Sequence, residues 1–112
     1  MASIDELWLT DFGEPYPGEP AAFRPALILG PPSPFGATFP FVLVAPLTSR
    51  HRGLSLHISV EADDRTGLDV DSVVQCELVR SINRTRLIHR IGVVDPATSR
   101  AVSTVIRSLF DH

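Results

Sequence analysis

Short apolar runs that end at proline or glycine set the pattern of the first half of the chain. Residues 6–12, 26–29 and 39–45 are runs of this kind, and their length and apolar character are typical of strands. Residues 54–61 alternate instead, with apolar side chains at the even positions, which predicts a half-exposed antiparallel strand. Residues 72–79 form a further β-rich run. The pattern predicts five or six short strands.

Helical periodicity begins only near the end of the chain. Asp95 suits a helix N-cap and Pro96 suits the first helical position. Apolar residues then recur at helical spacing along one stripe: Ala97, Ala101, Val102, Val105, Ile106, Leu109 and Phe110. The sequence therefore predicts a single mainly β domain over residues 1–112, in which a small antiparallel barrel or twisted sheet carries one C-terminal helix.

A long irregular segment separates the first two predicted strands. Residues 13–23 contain two glycines and three prolines, which are incompatible with a regular helix or strand. A loop of this length is typical of binding loops and lids.

The composition is that of a folded domain. The 112 residues are 44% hydrophobic and 21% charged, which excludes a disordered regulator or a fibrous protein. The length excludes an enzyme with separate cofactor and substrate domains. Ten arginines and no lysine stand against 13 acidic residues, for a net charge of -3. Any contact with nucleic acid therefore requires a local basic patch.

The single cysteine, Cys76, cannot form an intramolecular disulfide, which favours a reducing compartment. Its position inside an apolar run predicts a buried core thiol. Residues 1–6 lack the basic and apolar regions of an export signal, and prolines interrupt the apolar runs. We expect a cytoplasmic protein that does not enter a membrane.

The histidines and the cysteine do not form a metal-binding pattern. Of the four histidines, only His51 and His57 approach ligand spacing, and they fall in a loop and on the exposed face of the strand predicted at 54–61. The chain also lacks a glycine-rich phosphate loop and a nucleophile elbow. We therefore expect neither a metal site nor a cofactor.

Cations concentrate in one short part of the chain. Arg80, Arg84, Arg86 and Arg90 lie there with His89, and arginine is suited to binding phosphates and stacking on the bases of single-stranded nucleic acid. The same arginines would also fit a solvated strand face that is neutralised by the acidic residues preceding it. Composition alone slightly favours this second interpretation.

Two further positions combine polar chemistry with a defined place in the chain. Arg24 directly precedes Pro25, which restricts the Arg24 backbone to extended conformations. Residues 48–52 follow an apolar strand and bring together hydroxyls, cations and an imidazole. Taken singly, each of these features is ordinary loop polarity.

Several sequence blocks resemble the MazF/PemK family of toxins from bacterial toxin-antitoxin pairs. Residues 7–15 resemble the family's first strand and turn, residues 24–29 its RPALVV strand, and residues 44–49 the end of its third strand. Later blocks are similar in the same order, at residues 67–68, 72–74, 79–87 and 91–92. The resemblance spans nearly the whole chain.

The resemblance implies a fold, an activity and partners. It implies a Src-homology-3-like small β-barrel of the PemK/MazF/CcdB type with a terminal helix, and a homodimer. The implied activity is that of a metal-independent, sequence-specific endoribonuclease that inhibits translation and growth. Such an enzyme cleaves single-stranded RNA by attack of a 2′-hydroxyl on the adjacent phosphate, leaving a 2′,3′-cyclic phosphate and a 5′-hydroxyl. Its cognate partner would be a MazE-like antitoxin.

The expected catalytic residues follow from the same resemblance, and the expected RNA-binding residues are basic side chains around them. The family's catalytic arginine falls on Arg24 and its catalytic threonine on Thr48. The RNA-binding residues are expected to be Arg50, His51, Arg80, Arg84 and Arg86. Cleavage also needs a base for the 2′-hydroxyl proton, and His51 is a candidate to which the resemblance does not point.

Three residues depart from those common in the family, which bears on RNA sequence preference more than on the chemistry: Leu78, Ser81 and Asn83. Other classes of function also stay open. The gyrase poison CcdB shares this fold but inhibits a protein, and a non-catalytic interaction module is a further alternative. Arg24 and Thr48 favour the nuclease, and RNA cleavage without added metal would separate these alternatives.

Overall fold

The computed structural model describes residues 2–13, 22–32, 39–51 and 53–110. Within them lie seven strands and one α-helix: β1 (Glu6–Asp11), β2 (Phe23–Gly30), β3 (Phe41–Thr48), β4 (His57–Val60), β5 (Ser72–Gln75), β6 (Arg80–Asn83), β7 (Leu87–Val93) and α1 (Pro96–Leu109). Short 3-10 turns flank β6, at Cys76–Leu78 and Arg84–Arg86. The protein is mainly β with a single C-terminal helix, as the sequence predicts.

All strand pairs of the sheet are antiparallel. The hydrogen-bonded order is β4-β5-β3-β2-β1-β7, and β6 pairs with β3 beside β5. Among the described strands the path stays open between β4 and β7. The predicted small barrel-like fold is therefore confirmed in an open form rather than as a closed barrel.

The two central strands, β2 and β3, are buried on both faces. On one face, Leu27 and Leu47 belong to a core cluster that includes Val102 of α1. On the other face, Ile28 and Val44 belong to a second cluster. Burial on both faces requires continuously apolar strands, which explains the unbroken runs that predict these two elements.

On the side of β3 away from β2, two short strands take the place of one continuous neighbour. β5 pairs with the end of β3, where Val74 lies opposite Leu47, and β6 pairs with its beginning, where Arg80 lies opposite Val44. The turn at Cys76–Leu78 separates the two strands. The prediction of one strand over residues 72–79 is therefore wrong beyond Gln75, because apolar composition does not distinguish a strand from a turn that buries Cys76.

The strand predicted at 54–61 is also shorter than expected. β4 contains only His57–Val60, and the His57 backbone N–H donates to the Leu54 carbonyl at 3.0 Å. A turn therefore replaces the first half of the predicted strand, and Leu54 is 48% exposed. Ile58 and Val60 pack against the first core cluster, as the alternation predicts.

No continuous apolar run predicts β6 and β7, because arginines and a histidine interrupt the apolar residues between Arg80 and Val93. β7 pairs with β1 at one end of the sheet path. Edge strands tolerate charged side chains because they do not lie between two apolar layers. This position explains why β7 lacks the signal that the central strands carry.

The helix begins as predicted. The Asp95 side chain accepts a hydrogen bond from the Thr98 backbone N–H at 2.8 Å, and Pro96 occupies the first helical turn. Val102 is fully buried against the sheet. The outer parts of the predicted apolar stripe are exposed: Ala97, Leu109 and Phe110.

Most of the loop predicted at 13–23 lies outside the described residues, which omit 14–21. In the part of the chain that the structure describes, no helix is long and apolar enough to cross a membrane.

Candidate active site

Arg24 is a buried cation at the start of β2. The residue is 8% exposed, and its Nη2 group donates to the Leu47 carbonyl at 2.6 Å and to the side-chain oxygen of Gln75. Burial lowers the pKa of the Arg24 guanidinium, yet arginine remains protonated in proteins. The result is a positive charge that contacts with β3 and β5 hold in place.

Thr48, the last residue of β3, comes to the same place. Ala26 of β2 lies opposite Pro46 of β3, and two residues further along each strand the positions on that face are Arg24 and Thr48. The Thr48 hydroxyl accepts a hydrogen bond from the Arg50 backbone N–H at 3.2 Å. The guanidinium and the hydroxyl expected to be catalytic thus share one face at one end of the β2–β3 pair.

Further polar side chains extend this face onto β4 and β5. Gln75 lies opposite His57 in the strand register, so the two side chains are neighbours on the face that holds Arg24. His57 Nε2 lies 3.0 Å from Glu77 Oε2, and the His57 side chain is only 4% exposed. The expectation of an exposed His57 is wrong, because the face opposite the first core cluster also carries Gln75 and Glu77.

Two of the predicted RNA-binding arginines gather at the end of β1. The Arg80 guanidinium lies over the Phe12 ring, 5.6 Å from its centroid, and Arg86 donates to the Asp11 carbonyl at 3.3 Å. Asp11 lies opposite Phe23, the residue before Arg24. Arg80 and Arg86 are therefore placed on the β1 side of Arg24, whereas Thr48 is on its β3 side.

Arg84 is placed elsewhere. Its Nε group donates to the Phe39 carbonyl, and its backbone N–H donates to Pro40 at 2.9 Å. These residues precede β3, whereas Thr48 ends it. The structure therefore separates Arg84 from Thr48 along the length of β3.

Arg50 and His51 extend from the end of β3 and are exposed. The Nε2 atom of His51 lies 3.3 Å from the carbonyl oxygen of Asp71. Asp71 directly precedes β5, whose Val73 lies opposite Thr48. This contact places His51 beside the strand end that carries Thr48.

Among the described residues, the Arg90 guanidinium forms an ion pair with Glu6, and the His57 ring hydrogen-bonds to Glu77. Neither involves the arginines at 80, 84 and 86, which contact an aromatic ring or carbonyl oxygens instead. In the described part of the chain, the contacts do not support the interpretation that nearby carboxylates neutralise these three cations. Among the described residues, Arg90 does have a carboxylate partner at 2.9 Å, but that partner is Glu6 of β1 and not an acidic residue that precedes the arginines.

Cys76 is fully buried in the first core cluster, as predicted. Burial raises the pKa of its thiol to about 11, and the nearby charge of Glu77 acts in the same direction. The thiol is therefore neutral near pH 7 and is not activated as a nucleophile. Across the ranges that the structure describes, the His, Cys, Asp and Glu side chains form no group of three or more that could hold a metal ion.

Comparison with known proteins identifies the family of this chain. The sequence model of the PemK-like, MazF-like toxins of type II toxin-antitoxin systems matches residues 5–110. The chain belongs to this toxin family.

Solved structures of two MazF proteins and of a mycobacterial endoribonuclease share the fold of this chain. The Mycobacterium tuberculosis toxin MazF-mt6 is 27% identical, with a TM-score of 0.75 over 95% of this chain and 96% of that one. Deinococcus radiodurans MazF is 23% identical, with a TM-score of 0.83 over 99% and 97%. A mycobacterial endoribonuclease, solved with its cognate antitoxin, is 16% identical with a TM-score of 0.75 over 98% and 95%.

Sequence reasoning missed three polar residues that the toxin brings to the Arg24 face: His57, Gln75 and Glu77. One signal was available, because Gln75 is a polar residue inside an otherwise apolar run. The contact of His57 with Glu77 joins residues 20 positions apart, and no local sequence pattern predicts such a pair.

Proposed function

We propose that this toxin is a sequence-specific, metal-independent endoribonuclease acting on single-stranded RNA, with Arg24 and Thr48 as its catalytic residues. The supporting observation is the buried guanidinium of Arg24, which shares a face with the Thr48 hydroxyl and is held by Leu47 and Gln75. The mycobacterial structural relative described as an endoribonuclease also supports the proposal.

The proposed reaction transfers the phosphate within the RNA strand. The 2′-oxygen attacks the adjacent phosphorus and the bond to the 5′-oxygen breaks, which leaves a 2′,3′-cyclic phosphate and a 5′-hydroxyl. Negative charge accumulates on the non-bridging oxygens in the transition state. The Arg24 N–H groups that do not contact Gln75 or Leu47 would donate to these oxygens together with the Thr48 hydroxyl, without reorganisation during the reaction.

The proposed RNA-binding residues are Arg50, His51, Arg80, Arg84 and Arg86. Arg80 and Arg86 lie on one side of Arg24, and Arg50 and His51 follow Thr48 on the other. A strand of RNA that crosses Arg24 would therefore meet cations on both sides of the scissile phosphate, and these cations would bind its phosphates.

The test is cleavage of a long single-stranded RNA by wild-type protein and by the variants Arg24→Ala and Thr48→Ala. Each variant is expected to lose about 10²–10³ in rate, which is typical for removal of one preorganised donor to a developing oxyanion. Arg90→Ala is the matched control, because Arg90 is paired with Glu6 on β7 and β1. Wild-type activity should persist in EDTA, and the products should carry 5′-hydroxyl ends. A folded wild-type protein that cuts no such RNA would refute the proposal.

We further propose a homodimer located in the cytoplasm and bound by a MazE-like antitoxin. Structures of MazE-MazF complexes from Deinococcus radiodurans are among the structural relatives. An acidic, disordered antitoxin segment would bind the arginines that bind RNA, because guanidinium groups hold carboxylates and phosphates alike. Saturating antitoxin is therefore expected to abolish RNA binding in a fluorescence anisotropy assay. Unchanged RNA affinity would show that the antitoxin binds elsewhere.

A further inference from the structure

The Glu77–His57 pair and the Arg24 guanidinium are both neighbours of Gln75. Gln75 links them, because its side-chain oxygen accepts a hydrogen bond from Arg24 and its strand position is opposite His57. Cβ atoms of residues directly opposite in antiparallel strands are about 5 Å apart. The imidazole therefore lies one side chain away from the group proposed to bind the scissile phosphate.

The contact with Glu77 fixes where the imidazole carries its proton. An ionised carboxylate has no hydrogen to give, so in the hydrogen bond of 3.0 Å the proton belongs to Nε2 of His57. In the neutral ring Nδ1 then has a free lone pair. Nδ1 is buried and has no hydrogen-bond partner among the described residues, whereas buried polar atoms are nearly always paired.

We propose that Nδ1 of His57, which is screened from solvent in the free protein, accepts the 2′-hydroxyl proton once the bound RNA has gained access to it, and that Glu77 orients the ring. This inference rests on the proposed ribonuclease function. The arrangement is that of a carboxylate, an imidazole and a hydroxyl in a row, in which the carboxylate selects the tautomer and stabilises the imidazolium that forms.

The proton and bond changes balance within this scheme. The 2′-hydroxyl proton moves to Nδ1 as the 2′-oxygen forms its bond to phosphorus, and the bond from phosphorus to the 5′-oxygen breaks. The leaving 5′-oxygen takes a proton from solvent water. The imidazolium, which faces the Glu77 carboxylate on one side and Arg24 across Gln75, then returns its proton to solvent.

The other described histidines are less suitable. His51 is exposed and its Nε2 lies against a backbone carbonyl, so this contact places no carboxylate behind the ring. His89 is exposed on β7, with Nδ1 3.3 Å from the Arg90 carbonyl. Among the three histidines that the structure describes, only His57 combines a buried ring, a carboxylate on one nitrogen and a place on the Arg24 face.

The experiment measures kcat and KM on a short RNA for His57→Ala and Glu77→Gln, with His89→Ala as the matched control. We expect His57→Ala to lower kcat about 10²-fold or more, the usual contribution of a general base. Added imidazole should restore part of this loss, because a small base can occupy the space of the missing ring. Glu77→Gln keeps the ring and should lower kcat at least about tenfold, since the tautomer is no longer fixed. His89→Ala should leave kcat unchanged.

An RNA with sulfur in place of the leaving 5′-oxygen separates the two proton-transfer roles. A thiolate leaves without protonation, so this substrate stays slow with His57→Ala if His57 is the base. Recovery of the rate would show that His57 protonates the leaving group, and the proposal would be wrong. Wild-type kcat in His57→Ala, or an impaired His57→Ala variant that folds but gains nothing from imidazole, would overturn it as well. Either result leaves the ribonuclease function intact if Arg24→Ala is still inactive, whereas an inactive wild-type protein would refute the function itself.

Discussion

At the scale of single residues, the orientation of Arg24 depends on Gln75. A guanidinium has five N–H donors in one plane, and two contacts on Nη2 leave its remaining N–H groups for a ligand. Because the Leu47 carbonyl belongs to the backbone of β3, Gln75 is the part of this arrangement that a substitution can remove. Gln75 is therefore a positioning residue for the proposed catalytic cation.

Replacing Gln75 with methionine is expected to lower kcat for RNA cleavage by about ten- to a hundredfold, because one hydrogen bond to a charged group contributes about 1.5–3 kcal/mol. Methionine has a similar length but only a weak acceptor. Gln75→Glu, which keeps an oxygen for Arg24, should retain more activity than Gln75→Met. KM should change less than kcat, since Gln75 acts through Arg24.

A double-mutant cycle checks that this effect passes through Arg24. In an Arg24→Lys background, Gln75→Met should cause little further loss, because the guanidinium whose Nη2 group donates to Gln75 is already gone. If the fold-loss in kcat of the double variant equals the product of the two single losses, Gln75 acts independently of Arg24.

At the scale of elements, the turn before β5 packs closely on β7. Gly67 has a φ of +67°, and a Cβ atom there would lie 2.2 Å from the Ile91 carbonyl oxygen. The Val93 backbone N–H donates to the Arg65 carbonyl at 2.9 Å. The turn and the edge strand therefore touch backbone to backbone, which only glycine allows at this position.

Gly67→Ala is expected to destabilise the protein by about 3 kcal/mol or more, as strain and a backbone clash add. Gly53 provides a matched control, since its φ is +65° but a Cβ atom there would meet none of the described residues within 4 Å. Gly53→Ala should therefore cost only the backbone strain, about 1–2 kcal/mol. Urea unfolding of both variants measures the difference, and equal losses would show that the contact with Ile91 relaxes without cost.

The same scale shows what the sequence could and could not predict about the fold. β2 and β3 are predictable because burial on both faces demands continuous apolar residues, and α1 is predictable because Asp95 and Pro96 mark its start. The break between β5 and β6 was missed because Cys76 is buried as it would be in a strand. β7 was missed because His89 and Arg90 interrupt its apolar residues, which an edge strand allows.

The candidate site divides in a similar way. Arg24 and Thr48 were reached from sequence blocks that include the restricted Arg-Pro step, and their roles stay predictions. The contacts around them depend on strand register: Gln75 meets Arg24 across 51 residues, and His57 meets Glu77 across 20. Register is fixed by the pairing of whole strands, so the sequence of a local segment does not predict which residues of two strands lie opposite each other.

At the scale of the whole molecule, apolar side chains remain uncovered at the start of β3. Phe41 and Leu43 are 43% and 44% exposed on the same face of the strand, and Phe39 just before them is 40% exposed. The Phe39 and Phe41 rings contact edge to face, with centroids 6.2 Å apart. An apolar cluster of this kind on a small protein is typical of an interface.

We predict that a second copy of the chain covers this cluster. Light scattering at micromolar concentration should therefore give twice the 12.2 kDa chain mass for the wild-type protein. Leu43→Arg should shift the protein to the monomer, because it places an unpaired charge in an apolar interface. Val70→Arg is the control, since Val70 is 54% exposed but lies in the connection before β5. A Leu43→Arg protein that stays dimeric would place the interface on another surface, and a monomeric wild-type protein that still cleaves RNA would show that the proposed activity needs no second copy.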